Sequence, residues 1–214
     1  MKLFSAILFC IIFSSPAFAL TPQEAAQRLQ DSYDKTRDMK ADFTQVSEVK
    51  AMNMTREGSG KLLIKKPGML RYSYSKPEKQ ELIVRGDELV MYTPEVNQVI
   101  TKRMERAVMD RTPSTFLAGL GRIADSFNPR FPKSGEKDAK GRVQLELVPK
   151  GDGMGVEMVL VTLDPDSFNI VGFTFTETSG NVNAISLFNI KINAGIKDSA
   201  FGFKIPKGAT IIAQ

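Results

Sequence analysis

From residue 41 to 103 the chain alternates between apolar and polar positions in short runs. Leu62 and Ile64 pair up in "GKLLIKK", and Leu70, Tyr72 and Tyr74 do so in "MLRYSY". "ELIVRGDELVMY" holds two more runs, with Leu89 and Met91 in the second, joined by Gly86 and Asp87; "VNQVITKRM" follows the break at Pro94. A period of two puts such side chains on one face of a strand. Short alternating runs closed by Gly, Pro, Asp and Asn predict antiparallel strands in meander order. The pattern resumes at "GRVQLELVPK", "GVEMVLVTLD", "FNIVGFTFTE" and "NAISLFNIKIN". "SAFGFKIPKGATII" ends the chain, with Phe201, Phe203 and Ile205 expected on one face. The expectation is about ten or eleven strands.

Two stretches change period. In "TPQEAAQRLQDSYDKTRDM", Ala25, Leu29 and Tyr33 recur at helical spacing with Ala26 beside them. Thr21 is placed as N-cap, Pro22 as the first helical residue, and Glu24 completes a capping box. In "RTPSTFLAGLGRIADSF", Thr112 and Pro113 open a second helix whose stripe is Phe116, Leu117, Leu120 and Ile123. Gly119 and Gly121 weaken it by about 1 kcal/mol each relative to alanine, so it needs a surface to lie on.

A long twisted sheet curls toward a barrel. The few helices must bury their apolar stripes, and the concave face of the sheet is the economical place. The fold class expected is mainly β: an unclosed antiparallel β-barrel with an α-helical lid, a single domain over residues 20–214.

The first stretch stands outside that domain. "MKLFSAILFCIIFSSPAFA" has Lys2, an apolar run of about 11 residues and small residues at Ala17 and Ala19, against the roughly 20 needed to span a bilayer. It reads as a cleaved secretory signal ending at Ala19, which makes the remainder an exported, soluble protein. The only cysteine, Cys10, leaves with it, so the mature fold holds together without disulfides. The formal net charge of +5 is a mild excess that favours a solvated surface over nucleic-acid binding.

The chain has no histidine, which removes Ser-His-Asp and Cys-His catalysis and His-ligated metals. "GDGMG" reads as a hairpin turn, and Asp164 and Asp166 sit in the turn signal "LDPDS". No catalytic machinery, cofactor or metal site is expected; binding is. Methionines such as Met52, Met54, Met69, Met91 and Met158 suit a surface that fits variable apolar ligands. In "KKPGMLRYSY", Pro67 and Gly68 turn the chain between two strands, and Leu70, Tyr72 and Tyr74 share one face beside Lys66.

"DFTQ", then "GSGKLLIKKPGMLRYSYSKPEKQELIVRGDELVMYTPEVNQV", then a Thr-Pro helix and a closing "FKIPKG" together resemble the LolA family, carriers of outer-membrane lipoproteins through the bacterial periplasm. The resemblance runs from about residue 21 to 212 and is most specific from Gly58 to Gln98. It implies an apolar cavity between sheet and lid that takes the acyl chains of lipoproteins. Cargo would come from an inner-membrane lipoprotein-releasing ABC transporter and pass to an outer-membrane acceptor lipoprotein, the carrier acting as a monomer. It further implies a lid latch at Lys66, before Pro67, where the family commonly has arginine; lysine brings a point charge without the planar fork. Leu70 takes the place of a bulky residue near the cavity mouth, and Val90 stands where a Trp is often found. Phe43, Leu62, Ile64, Leu70, Tyr72, Tyr74, Leu89 and Met91 are then candidates for cavity and mouth. The lid candidates are Leu29, Tyr33, Phe116, Leu117, Leu120 and Ile123. A carrier of another lipid, glycolipid or phospholipid, and a sensor that grips a membrane partner are the competing readings.

Overall fold

The computed structural model describes residues 19–103, 122–151 and 155–214. Residues 1–18, most of the stretch read as a secretory signal, lie outside them, as do Thr112, Pro113, Phe116, Leu117 and Leu120.

Helix α1 spans Pro22–Lys35. It starts where the local chemistry dictates: the Thr21 hydroxyl accepts from the Glu24 N–H, the Glu24 carboxylate accepts from the Thr21 N–H, and Pro22 sits at the first position. Those bonds hold the Glu24 carboxyl below its ordinary pKa. The buried stripe is small, only Ala25, Ala26 and Leu29.

Twelve strands form one sheet. They are β1 (Asp38–Val49), β2 (Met54–Lys65), β3 (Met69–Lys76), β4 (Gln80–Arg85), β5 (Glu88–Thr93), β6 (Gln98–Arg103), β7 (Phe127–Arg130), β8 (Val143–Pro149), β9 (Val156–Leu163), β10 (Ile170–Glu177), β11 (Val182–Ile192) and β12 (Thr210–Ala213). Their order is β12-β6-β5-β4-β3-β2-β1-β11-β10-β9-β8-β7. Two antiparallel meanders, β1 to β6 and β7 to β11, are therefore stitched together by the long β1–β11 pair, and the sheet keeps two free edges. Both edges are short; β7 carries Pro129, which cannot donate to a further strand.

The alternation read from the sequence sorts side chains between two faces. The inner face carries Ala41, Phe43, Leu62, Ile64, Leu70, Tyr72 and Val84 from one meander, and Leu145, Leu147, Val159, Val161, Phe173 and Phe175 from the other. All belong to one apolar cluster with Ala25, Ala26 and Leu29 of α1, so the sheet curls around a shared core. Phe43 meets Tyr72 and Tyr74 edge-on, with ring centroids 5.2 and 5.1 Å away. β2 runs hard against β3 at Gly60, where a Cβ would lie 2.1 Å from the Ser73 carbonyl oxygen.

The outer face has a smaller core of its own. Ile83 and Val99 point away from the main cluster, yet are 2% and 0% exposed. The chain after β11 covers them: it crosses the outside of β3 to β6, inserts Phe201 from a 3₁₀ turn at Asp198–Phe201, and then adds β12 parallel to β6. Polar bonds fasten this strap. Lys65 pairs with Asp198 at 2.6 Å and donates to the Ile196 carbonyl at 2.7 Å; Arg71 donates to the Ala200 carbonyl and to Glu81, both at 2.9 Å.

Several details differ from the pattern reading. There are twelve strands, because β7 begins at Phe127, inside the stretch read as helical, and because the tail supplies β12. Of the second predicted helix, the described part is the four-residue α2, Ile123–Ser126. The sheet is not wholly antiparallel, since β12 pairs parallel to β6. Phe201, Phe203 and Ile205 do not share a strand face: Phe201 is buried, whereas Ile205 is half exposed. Met52 and Met54 lie exposed at the β1–β2 hairpin, not on the inner face.

Phe201 is the aromatic that seals the outer core, so Phe201→Ala should destabilise the protein by about 3–5 kcal/mol in urea unfolding. A loss below about 1 kcal/mol would show that the strap does not fold with the sheet.

Candidate functional site

The described apolar cleft that bears on function lies where the C-terminal half of α1 passes over the start of β1, the end of β2 and the start of β10. Leu29, Tyr33, Met39, Ile64, Lys66, Phe168, Ile170 and Ile192 line it. Its cavity is only about 40 Å³, well below the range of about 300–1,000 Å³ usual for small-molecule sites, so in this form it is a crevice that admits a chain only if its walls move apart. Outward it passes into a polar rim bordered by Arg28, Asp31 and Lys35.

The helix over this crevice is anchored by polar bonds as well as by its small buried stripe. The Lys66 ammonium, carried on the β2–β3 corner, donates to the Tyr33 carbonyl at the end of α1. It also sits 3.3 Å from the centroid of the Tyr33 ring. A cation at a helix C-terminus meets the negative end of the helix dipole, and over a ring it meets the negative face of the π-system. Burial pushes the Lys66 pKa below its ordinary value, and Asp34 nearby opposes that shift. The backbone of the corner suits this placement. Gly68 takes φ +64°, open to glycine and strained for other residues, and its carbonyl accepts from Gly86 N–H at 3.2 Å.

Three further bonds fix the same helix. The Ser32 hydroxyl donates to Asn169 Oδ1 at 2.6 Å, Asn193 Nδ2 donates to the Lys35 carbonyl at 3.1 Å, and Gln30 Oε1 accepts from Ile123 N–H at 2.9 Å. Asn193 also accepts from the Arg37 N–H at 2.7 Å, which ties the exit of α1 to the exit of β11.

The structure brings together Leu29, Tyr33, Ile64 and Lys66, four of the residues singled out from the sequence, on one cleft. Phe43, Leu62, Leu70 and Tyr72 lie in the core beneath the inner face, each no more than 3% exposed. Tyr74, Leu89 and Met91 are half-buried on that face, and Ile123 is buried beside α1. Pro67 forms the corner after Lys66. Burial raises the phenol pKa values of Tyr72 and Tyr74, so both rings stay neutral.

Three lining residues escaped the pattern. Met39 and Ile192 are paired with each other at the β1–β11 junction; the alternation in "DMKADF" extends back to Met39. Phe168 lies in the Asp164 turn, where a buried aromatic is unusual. Its φ of +56° is a conformation that costs a side-chain-bearing residue about 1–2 kcal/mol. Packing holds it there: Phe168 is 5% exposed and Arg28 lies over its ring at 5.2 Å. Asp164 itself accepts from the N–H and hydroxyl of Ser167 at 2.9 and 2.7 Å, an occupied turn carboxylate that those bonds hold below its ordinary pKa. Among the described residues no group of carboxylates could hold a metal ion, and no helix is long and apolar enough to cross a membrane.

With this geometry in hand, the sequence comparisons agree on one family. The family model for outer membrane lipoprotein carrier protein LolA matches residues 34–204. The outer-membrane lipoprotein carrier protein of Methylococcus capsulatus is 29% identical over 95% of this chain and 93% of its own. That of Azotobacter vinelandii is 27% identical over the full length of both. Among solved structures, an uncharacterized conserved protein from Thermus thermophilus superposes with a TM-score of 0.56 at 14% identity, covering 90% of this chain and 98% of that one. The Mycobacterium tuberculosis lipoprotein LppX gives 0.50 at 10% identity, over 81% and 95%. At such identities the structural likeness speaks for the fold, and the sequence matches speak for the family. The chain belongs to the LolA family of outer-membrane lipoprotein carrier proteins.

Proposed function

We propose that this protein is a periplasmic chaperone that takes the acyl chains of lipoproteins beneath α1 and carries them from the inner to the outer membrane. It receives its cargo from an inner-membrane ABC transporter, passes it to an outer-membrane acceptor, and works as a monomer. The observation that carries the reading is the apolar cleft under a helix that is docked weakly and latched at its rim.

Magnitudes favour a movable roof. Burying Leu29, Ala25 and Ala26 is worth about 3–4 kcal/mol, and each neutral rim bond adds about 0.5–1.5 kcal/mol net. Shielding one acyl chain of about 15 methylenes is worth about 12 kcal/mol. A single chain therefore outweighs the docking of α1 and can displace it. Three chains would total about 36 kcal/mol, beyond the 18–21 kcal/mol at which non-covalent affinity saturates, so release into water is forbidden and handover occurs between proteins in contact. In this reading Lys66 is the latch, and Leu62, Ile64, Leu70 and Tyr72 are the surface exposed to cargo once the roof lifts.

The direct test presents the mature protein to inner membranes bearing a lipoprotein and its unacylated form. The acylated form should be extracted and kept in solution, and the unacylated form should not bind; equal binding of the two contradicts the proposal.

Lys66 gives a second test. Its lowered pKa means the folded protein releases this proton at lower pH than the unfolded chain does, which titrates near 10.5. Just below that value the unfolded state holds the extra proton, so stability should rise with pH there. The difference in unfolding free energy between wild type and Lys66→Met should move in favour of the wild type through that window. The same variant should speed amide exchange over residues 32–35 about tenfold. A difference that is flat in pH, with unchanged exchange, would remove Lys66 as the latch.

A further inference from the structure

Three buried polar side-chain atoms have no hydrogen-bond partner among the described residues: Asp38 Oδ1, which belongs to the crevice under α1, and, on the inner face, the Tyr72 hydroxyl and Asn183 Oδ1. The last two end a strip of polar side chains that is otherwise bonded. The Tyr74 hydroxyl donates to Gln45 Oε1 at 2.7 Å, and Gln45 Nε2 donates to Ser47 Oγ at 3.0 Å. Ser47 lies directly across the β1–β11 ladder from Asn183. The Tyr72 ring stacks on that of Tyr74, centroids 6.0 Å apart and planes 22° apart. Tyr74 can reach from β3 across β2 to β1 because β2 presents no side chain beneath it: a Cβ on Gly58 would touch the ring at 3.4 Å. The strip thus crosses β3, β1 and β11 with an unused donor at one end and an unused acceptor at the other.

An apolar core gains nothing from a phenol or an amide left unpaired; such a group destabilises the state that buries it. Phenylalanine would fill the place of Tyr72 without that loss. The two atoms therefore weigh against the closed form, and a ligand that supplies their partners is favoured twice, by its own bonds and by ending the unpaired state. Acyl chains are joined to their carriers by ester or amide linkages. The first polar atom beyond the hydrocarbon is then a carbonyl oxygen, an acceptor for Tyr72. An amide adds an N–H, a donor for Asn183. Resting on the carrier reading above, we infer that this strip is a polar subsite that binds the ester and amide linkages at the head of an acylated ligand, while the surrounding face takes the hydrocarbon.

The test compares binding of three ligands: a triacylated peptide with two ester-linked chains and one amide-linked chain, the same peptide with ethers in place of the esters, and a diacyl phospholipid, which has esters but no amide. Wild type should prefer the ester peptide to the ether peptide by about tenfold. Tyr72→Phe should lose that preference, and without ligand it should melt a few degrees higher, because the unpaired hydroxyl is gone. Asn183→Leu should keep the ester preference but lose the preference for peptide over phospholipid. An ester preference that is absent in wild type or survives in Tyr72→Phe overturns the inference, as does a Tyr72→Phe protein that melts lower. Should wild type bind neither peptide, the carrier reading fails and this inference with it; binding of both peptides alike defeats the inference alone.

Discussion

Everything in this molecule turns on how lightly α1 is held to the sheet. Its fully buried apolar contribution is one leucine and two alanines, with Tyr33 partly buried beside them, whereas the inner face beneath it is rich in Phe, Tyr, Leu and Val. Polar bonds at the rim supply the remainder: Lys66 to the Tyr33 carbonyl, Ser32 to Asn169, Asn193 to the Lys35 carbonyl. Such bonds exchange readily with water, since a polar group freed at the surface is solvated at little net cost. The helix is thus well positioned by these bonds, and the proposed function asks of it that it also come away from the sheet.

The sheet has the opposite requirement. In the proposed carrier role it has to remain intact while its inner face changes partners, and no disulfide can form within the chain, because Cys10 is its only cysteine. Stability that does not depend on the inner face comes from the outer one. The strap after β11 buries Ile83, Val99 and Phe201 there and is bound by Lys65 and Arg71. Lys65 and Lys66 are consecutive, yet the first grips the strap and the second grips α1. One corner therefore ties both the outer strap and α1 to the sheet.

Much of this was legible in the residues. Period-two runs gave most strands and their inner faces, down to Leu62, Ile64, Leu70 and Tyr72, because burial on one face of a strand leaves a direct mark on the sequence. Thr21, Pro22 and Glu24 announced the start of α1 for a similarly local reason. What stayed hidden depends on distant partners. Nothing near Phe201 says it will plug the outside of a sheet formed by residues about a hundred positions earlier, and Phe168 reads as the start of the strand "FNIVGFTFTE", whereas it lies in the turn before β10. β7 was masked by the helical spacing around it, and β12, four exposed residues, carries no alternation of its own. The resemblance to a family led to Lys66; its contact with the Tyr33 carbonyl is a matter of tertiary geometry.

The central claim is that cargo enters only when α1 lifts from the sheet. Ser32 and Asn169 touch across that boundary at 2.6 Å, and the sequence after Cys10 has no cysteine to interfere. The decisive measurement is lipoprotein uptake by the S32C/N169C double variant, oxidised and then reduced. A roof that must open predicts that uptake is abolished while the cross-link is closed and returns on reduction. Undiminished uptake by the fully cross-linked protein would show that acyl chains enter by some other way.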